Sequence, residues 1–214
     1  MHLTIIAKSP VAGRVKTRLC PPCTPEQAAE IARAGFTETV AAIDVAAAGI
    51  SGEIRRVLLL DGDRQDWMPS DYEVVTQRGD GLGERLNNGF ADLASRHGGG
   101  LIVGMDTPGA ARGLAAAVAA LARGDDVIGL AVDGGYWVIG LTNPDGREFD
   151  HVPMSASNTG LAQIRRLHAL GRRVHLLEMA RDLDDVTDLR ILASAGGDGD
   201  FVATARRVLA AVGN

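Results

Sequence analysis

The sequence predicts a three-layer α/β/α domain with a mainly parallel sheet, and three observations lead there. Short apolar runs such as Leu3-Thr4-Ile5-Ile6-Ala7 and Leu101-Ile102-Val103 recur along the chain, as strands buried on both faces require. Between them lie longer segments with apolar residues at helical spacing, and this alternation is the pattern of strands joined by helical crossovers. Composition agrees, because 46% of the 214 residues are hydrophobic but only 4% aromatic. Small aliphatic side chains let helices approach a sheet closely.

Leu3 to Ala7 is the first predicted strand. It runs into a Pro- and Gly-containing loop, Lys8 to Leu19, that holds four cations: Lys8, Arg14, Lys16 and Arg18. Lys8 and Lys16 are the only lysines in the chain, so a compact point charge is favoured at these places over a guanidinium fork. A strand leading into a basic loop can present ammonium groups and backbone N–H groups to phosphate. Thr24-Pro25-Glu26-Gln27 starts a helix over about 25–47, with Thr24 as N-cap and Gln27 placed for a capping box.

Arg55 to Leu60 predicts a buried strand that ends in Asp61-Gly62-Asp63, read as a turn, and Val74-Val75 marks another short strand. The glycine-rich loop Gln77 to Gly83 precedes a helix from Glu84 to about His97. Leu101 to Met105 is a strand ending on Asp106-Thr107-Pro108, followed by a helix over 110–122. Asp126 to Val132 and Tyr136 to Gly140 are strands joined through Asp133-Gly134-Gly135, a strong hairpin signal. A helix over 158–170, a strand over 173–177 ending near Asp182-Leu183-Asp184, and two helices over about 185–195 and 200–212 complete the chain. With no linker or repeat, residues 1–214 read as one domain.

A net charge of −5 speaks against a general nucleic-acid or acidic-membrane surface. No apolar run reaches the roughly 20 residues of a membrane span, and the N-terminal sequence lacks a signal-peptide pattern, so a cytoplasmic enzyme is expected. Cys20 and Cys23 form one C-x-x-C pair without a second pair or a matching His spacing, so they are expected to be ordinary small loop residues.

Ligands of open α/β sheets bind beyond the carboxyl ends of the strands. If the predicted strands are parallel neighbours, the basic loop, Asp106, Asp133 to Tyr136 and Asp182 to Asp184 face one cleft. Cations and carboxylates together suit a metal–diphosphate complex, in which Mg²⁺ or Mn²⁺ takes carboxylate and phosphate oxygens. The G-x-x-x-x-G-K-[ST] and G-x-G-x-x-G phosphate motifs are absent from the first strand–loop unit. Asp106, Asp182 and Asp184 also have an ordinary reading as turn or helix-cap residues. Asp198-Gly199-Asp200 reads as a turn.

Five ordered motifs, K-S-P-x-x-G-R-V-K-T-R-L, G-x-G-L-G-E-R-L, a strand ending D-T-P, D-G-G-Y-W-x-I-G and D-L-D-x-x-x-D-L, resemble bacterial proteins labelled glycosyltransferases, some of them arsenosugar-biosynthesis glycosyltransferases. These belong to the GT-A-type nucleotide-diphospho-sugar transferase superfamily, which also contains nucleotidylyltransferases. The resemblance covers about residues 3–189 and implies a Rossmann-like GT-A-type domain. It implies Lys8, Gly13, Lys16 and Arg18 at nucleotide phosphates, and Asp80, Glu84 and Arg85 bordering the nucleotide. It implies Asp106 and Asp182 or Asp184 as ligands of Mg²⁺ or Mn²⁺, and Asp133, Gly134, Gly135 and Tyr136 where the transferred group meets its acceptor. Asp133 is then the candidate to orient or deprotonate an acceptor hydroxyl. Met154-Ser155-Ala156 replaces a Trp-Ser-Thr-like element, and Gly129-Leu130 replaces a Gly-Pro, so acceptor contacts are expected to differ. The expected activity is glycosyl transfer from a nucleotide-diphospho-sugar; the alternatives are nucleotidyl transfer and nucleotide binding without turnover.

Overall fold

The computed structural model of the chain describes residues 1–50, 52–109, 111–197 and 199–213. Among the described residues, seven strands form one sheet: β1 His2–Lys8, β2 Arg55–Asp61, β3 Glu73–Thr76, β4 Gly100–Gly104, β5 Asp126–Ala131, β6 Tyr136–Leu141 and β7 Val174–Ala180. Among the same residues, six α-helices and one 3₁₀ turn, Thr17–Leu19, accompany them: α1 Pro25–Ala48, α2 Leu82–His97, α3 Ala111–Ala122, α4 Thr159–Ala169, α5 Val186–Ser194 and α6 Asp200–Val212. The spatial order is β3-β2-β1-β4-β6-β5-β7. Only β6 runs against its neighbours β4 and β5; the remaining pairs are parallel.

This order corrects one expectation. β4 and β5 point the same way but are not adjacent, because the short Asp133-Gly134-Gly135 connection folds β6 back between them. A two-strand hairpin needs no helical crossover, so β6 occupies the position that a parallel strand would have taken.

The sheet is covered on both faces. Leu3, Ile5 and Ala7 of β1 pack with Phe36 and Ile43 of α1 and Leu114 and Ala117 of α3. Leu59, Ile102 and Ile139 face Leu86 and Phe90 of α2 and Leu167 of α4. Full burial of such side chains contributes roughly 1.5–3 kcal/mol each, which explains why these strands are unbroken apolar runs. α5 and α6 pack outside α1 through Phe201, Ala205 and Leu189 against Ala28 and Ile31. Cys20 and Cys23 are unpaired thiols at the edge of this third cluster, where burial pushes the Cys23 thiol up.

Helix starts follow local chemistry. Thr24 and Gln27 make the expected capping box before α1. Asp185 and Asp188 make another before α5. α6 begins at Asp200, while Asp198 of the predicted Asp-Gly-Asp turn lies outside the described residues.

A polar network closes the amino-terminal end of β5. Asp126 Oδ1 accepts from the Thr142 N–H and hydroxyl, both at 2.8 Å. Buried Glu148 accepts from the backbone of Asp145 and Gly146 and from Arg172 at 2.6 Å. The same guanidinium lies 3.7 Å from Asp126 Oδ2. At the same end of β1, His2 is fully buried and its Nδ1 meets the Thr4 hydroxyl at 2.9 Å.

Candidate functional site

β1 delivers the basic loop to the carboxyl end of the sheet. Val15 and Leu19 are buried and anchor the loop, while Lys8, Arg14 and Arg18 are exposed. Lys16 differs from these three. Its backbone is left-handed (φ 45, ψ 38), uncommon for a residue other than glycine, and its side chain is only 11% exposed. The ammonium donates to Asp106 Oδ2 at 2.7 Å and to the Leu183 carbonyl. The Leu183 N–H in turn donates to the Asp106 carbonyl at 2.9 Å, so the exit of β4 and the segment after β7 are bound to each other beside this lysine.

Three carboxylates lie together next to that junction. Asp133, Asp182 and Asp184 each offer an oxygen within 4.8 Å of the others. The Gly135 N–H fixes Asp133 Oδ1 at 2.8 Å. Gly134 makes the turn possible: its φ is +92, and a Cβ there would meet the Ser157 carbonyl oxygen at 1.9 Å. Asp182 is half-buried, and burial, followed by the charges of Asp133, Asp106 and Asp184, pushes its carboxyl up to about 6. Asp184 touches Arg18 at 3.2 Å and does not cap α5, because Asp185 does. The helix-cap reading of Asp184 therefore gives way to its neighbour, which leaves the Asp184 carboxylate at the site.

The close trio differs from the set expected as metal ligands. Asp133 belongs to it and Asp106 does not, since Asp106 Oδ2 is engaged by Lys16. Three clustered carboxylates supply only hard oxygen donors and a deficit of positive charge, which fits Mg²⁺ or Mn²⁺ better than a softer metal.

On the other flank, Arg85 donates to Asp61 Oδ2 at 2.7 Å, to Gln77 Oε1 at 3.2 Å and to the Gly79 carbonyl. The Gln77 amide spans the strand ends by donating to the carbonyls of Ala7 and Leu59. Hydrogen bonding to Arg85, with Lys8 and Arg14 nearby, holds the Asp61 carboxyl below the usual carboxylate range. Glu84 accepts from the Asp80 N–H at 2.8 Å and shapes the loop.

One cleft of about 700 Å³ joins the two flanks. Lys8, Lys16, Arg18, Arg85, Asp106, Asp133, Gly135, Tyr136, Asp182 and Asp184 line it; Gly13, Asp80, Glu84 and Gly134 do not. Gly13 is exposed with φ +76, and Gly134 lies in the hairpin turn against Ser157. The Tyr136 hydroxyl points at Met154 Sδ at 3.9 Å, and burial holds this phenol far above its usual range. Trp137 next to it is buried, its indole N–H donating to the Glu178 carbonyl at 3.2 Å.

Two cleft residues escaped the sequence reading. The following glycine marks Asp61 as a turn residue, yet it ends β2, pairs opposite Lys8 of β1 and lines the cleft. Thr159 lines the cleft at the start of α4, where its hydroxyl meets Pro153 and Ala156. Only the strand-end position of Asp61 carried a signal.

A family model described as "Uncharacterized protein conserved in bacteria (DUF2064)" matches residues 44–156, more than half of the chain. The chain belongs to that family. No curated protein matches this DUF2064 member. Among solved structures, it is similar to a Desulfovibrio desulfuricans G20 protein provisionally named a nucleotide-diphospho-sugar transferase, with TM-score 0.82 and 22% identity over 99% of this chain and 95% of that one. Rv0371c of Mycobacterium tuberculosis H37Rv matches at TM-score 0.54 and 18% identity, covering 90% and 98% of the two chains. CMP:2-keto-3-deoxy-manno-octonic acid synthetase complexed with CTP matches at TM-score 0.51 and 10% identity, covering 89% and 96%. At these identities the likeness is one of fold. The DUF2064 chain thus has the α/β fold of a nucleotide-diphospho-sugar transferase-like protein, and none of its described helices is long and apolar enough to cross a membrane.

Proposed function

We propose that the cleft binds the diphosphate of a nucleotide-sugar together with Mg²⁺ or Mn²⁺ and that the protein is a glycosyltransferase. One observation carries the reading: a basic loop and a trio of carboxylates, far apart in sequence, meet in one cleft at the carboxyl end of the sheet. Asp133, Asp182 and Asp184 would hold the metal, which when bound supplies charge neutralisation at phosphate oxygens. Lys8, Arg14 and Arg18, exposed along the cleft, neutralise the remaining phosphate charge and stabilise the leaving diphosphate as its charge develops. Arg85, aimed by Asp61 and Gln77, borders the nucleotide.

Asp133 is better suited to the metal group than to deprotonating an acceptor, because its carboxylate is fixed by Gly135 and faces two other carboxylates. Tyr136 serves as a wall: a phenol held so far above its usual range does not act as a base near neutrality.

The test is calorimetric titration of nucleoside diphosphates with and without Mn²⁺, on wild type and Asp182→Asn. Metal-dependent binding that weakens at least about tenfold in the variant is expected. Equal, metal-independent affinity in both proteins would overturn the site. Product analysis then separates the chemistries: nucleoside diphosphate released from a nucleotide-sugar supports glycosyl transfer, and pyrophosphate released from a nucleoside triphosphate replaces it with nucleotidyl transfer.

A further inference from the structure

Lys16 is the one cation of the basic loop turned inward. Lys8, Arg14 and Arg18 stand in solvent, whereas the Lys16 ammonium is enclosed between Asp106 Oδ2, at 2.7 Å, and the Leu183 carbonyl. A carboxylate and a carbonyl oxygen are the donors that also hold a hard divalent cation. The flanking residues of Leu183 are Asp182 and Asp184, two of the three clustered carboxylates. Backbone geometry sets only the root of this side chain: Lys16 is left-handed and opens a short helical turn, Thr17–Leu19, in which the Leu19 N–H donates to the Lys16 carbonyl at 2.9 Å.

Resting on the metal–diphosphate reading above, we propose that Lys16 is a built-in stand-in for the metal's charge, which occupies Asp106 until a diphosphate draws the ammonium away. Two positive centres at neighbouring oxygens repel, and the repulsion is poorly screened because the Lys16 side chain is 11% exposed. A divalent ion entering alone therefore meets a competitor. A diphosphate offers the ammonium a doubly charged partner on the cleft side; once Lys16 turns to it, Asp106 is released to the cation. Metal and diphosphate then favour each other's binding, and the coupling is reciprocal. Asp106, expected from the sequence as a metal ligand, takes that part only after Lys16 has moved.

The experiment is titration of Mn²⁺ alone, followed by the electron paramagnetic resonance signal of the free ion, on wild type, Lys16→Met and Lys16→Gln. The two variants guard against a packing defect in either one. With the competitor removed, Mn²⁺ is expected to bind about fivefold or more tightly in both variants. Inorganic pyrophosphate, with its own Mn²⁺ complexes subtracted, is expected to raise Mn²⁺ affinity in wild type and to do so less in the variants. Equal or weaker Mn²⁺ binding in both variants overturns the stand-in role while leaving the carboxylate trio as a metal site. Absence of Mn²⁺ binding in all three proteins, with and without pyrophosphate, overturns both readings.

Discussion

At the amino-terminal end of β5, buried Asp126 and Glu148 and the partly buried Arg172 are tied to one another and to backbone groups. At its carboxyl end, Asp133, Asp182 and Asp184 crowd one another in an open cleft, with Arg18 as a loose, exposed counter-charge. The residue types are the same. What differs is pairing: one end spends its charges on holding the chain, where a single carboxylate oxygen, Asp126 Oδ2, has the Arg172 charge 3.7 Å away but no hydrogen bond among the described residues, while the other end keeps a carboxylate excess. A buried charge with a fixed partner is commonly architectural, and an unbalanced group in a cleft is a candidate place for a ligand.

The sharpest way to break this contrast is Arg172→Met. Glu148 and Asp126, whose side chains are 1% exposed, would lose their counter-charge. Unfolding in urea should show about 3–5 kcal/mol lost; a loss below about 1 kcal/mol would remove the distinction between the two ends.

A second probe is pH. Burial, then the charges of His97 and the N-terminus, lower the His2 imidazole from 6.5 to about 3. The folded state therefore refuses a proton that the unfolded chain accepts. Stability is complete above about pH 6.5 and falls as the pH drops toward 3, by roughly 2 kcal/mol at pH 5 from this group. NMR titration should find the His2 ring neutral at pH 5, and an ordinary midpoint near 6.5 would contradict its closed environment.

The smallest effect belongs to the open end. Asp182→Asn, which should damage ligand binding, should leave unfolding stability unchanged or raise it by no more than about 1 kcal/mol, because it relieves like-charge crowding. A clear loss in thermal unfolding would mean that this carboxylate holds structure after all.

These comparisons also show what local sequence can carry. Strands, helices and caps were legible because burial on both faces yields apolar runs and because Thr24 and Gln27 act within one turn. The hairpin was legible in Asp133-Gly134-Gly135, but the insertion of β6 beside β4 was not, since strand order depends on how separate elements pack. Asp106 illustrates the same limit at the site. Its strand-end position was visible, while its partner Lys16 is 90 residues away and reaches it through a buried side chain. Asp61 looked like a turn residue because its neighbour is Gly62; only the β1–β2 register sets it against Lys8.

The reversed strand β6 gives the cleft an unusual point of adjustment. Asp133 is brought to the carboxylate trio by the turn of a hairpin, whereas Asp106 and Asp184 stand on segments that continue into α3 and α5. Altering those segments means re-seating a helix on the sheet. The β5–β6 turn is tied to a helix in a different way: the Gly160 N–H at the start of α4 donates to the Gly134 carbonyl at 2.8 Å, so the turn and the first residues of α4 form one unit at the rim of the cleft. A change in this turn therefore moves Asp133 and the start of α4 together, while the strand pairing beneath it stays as it is.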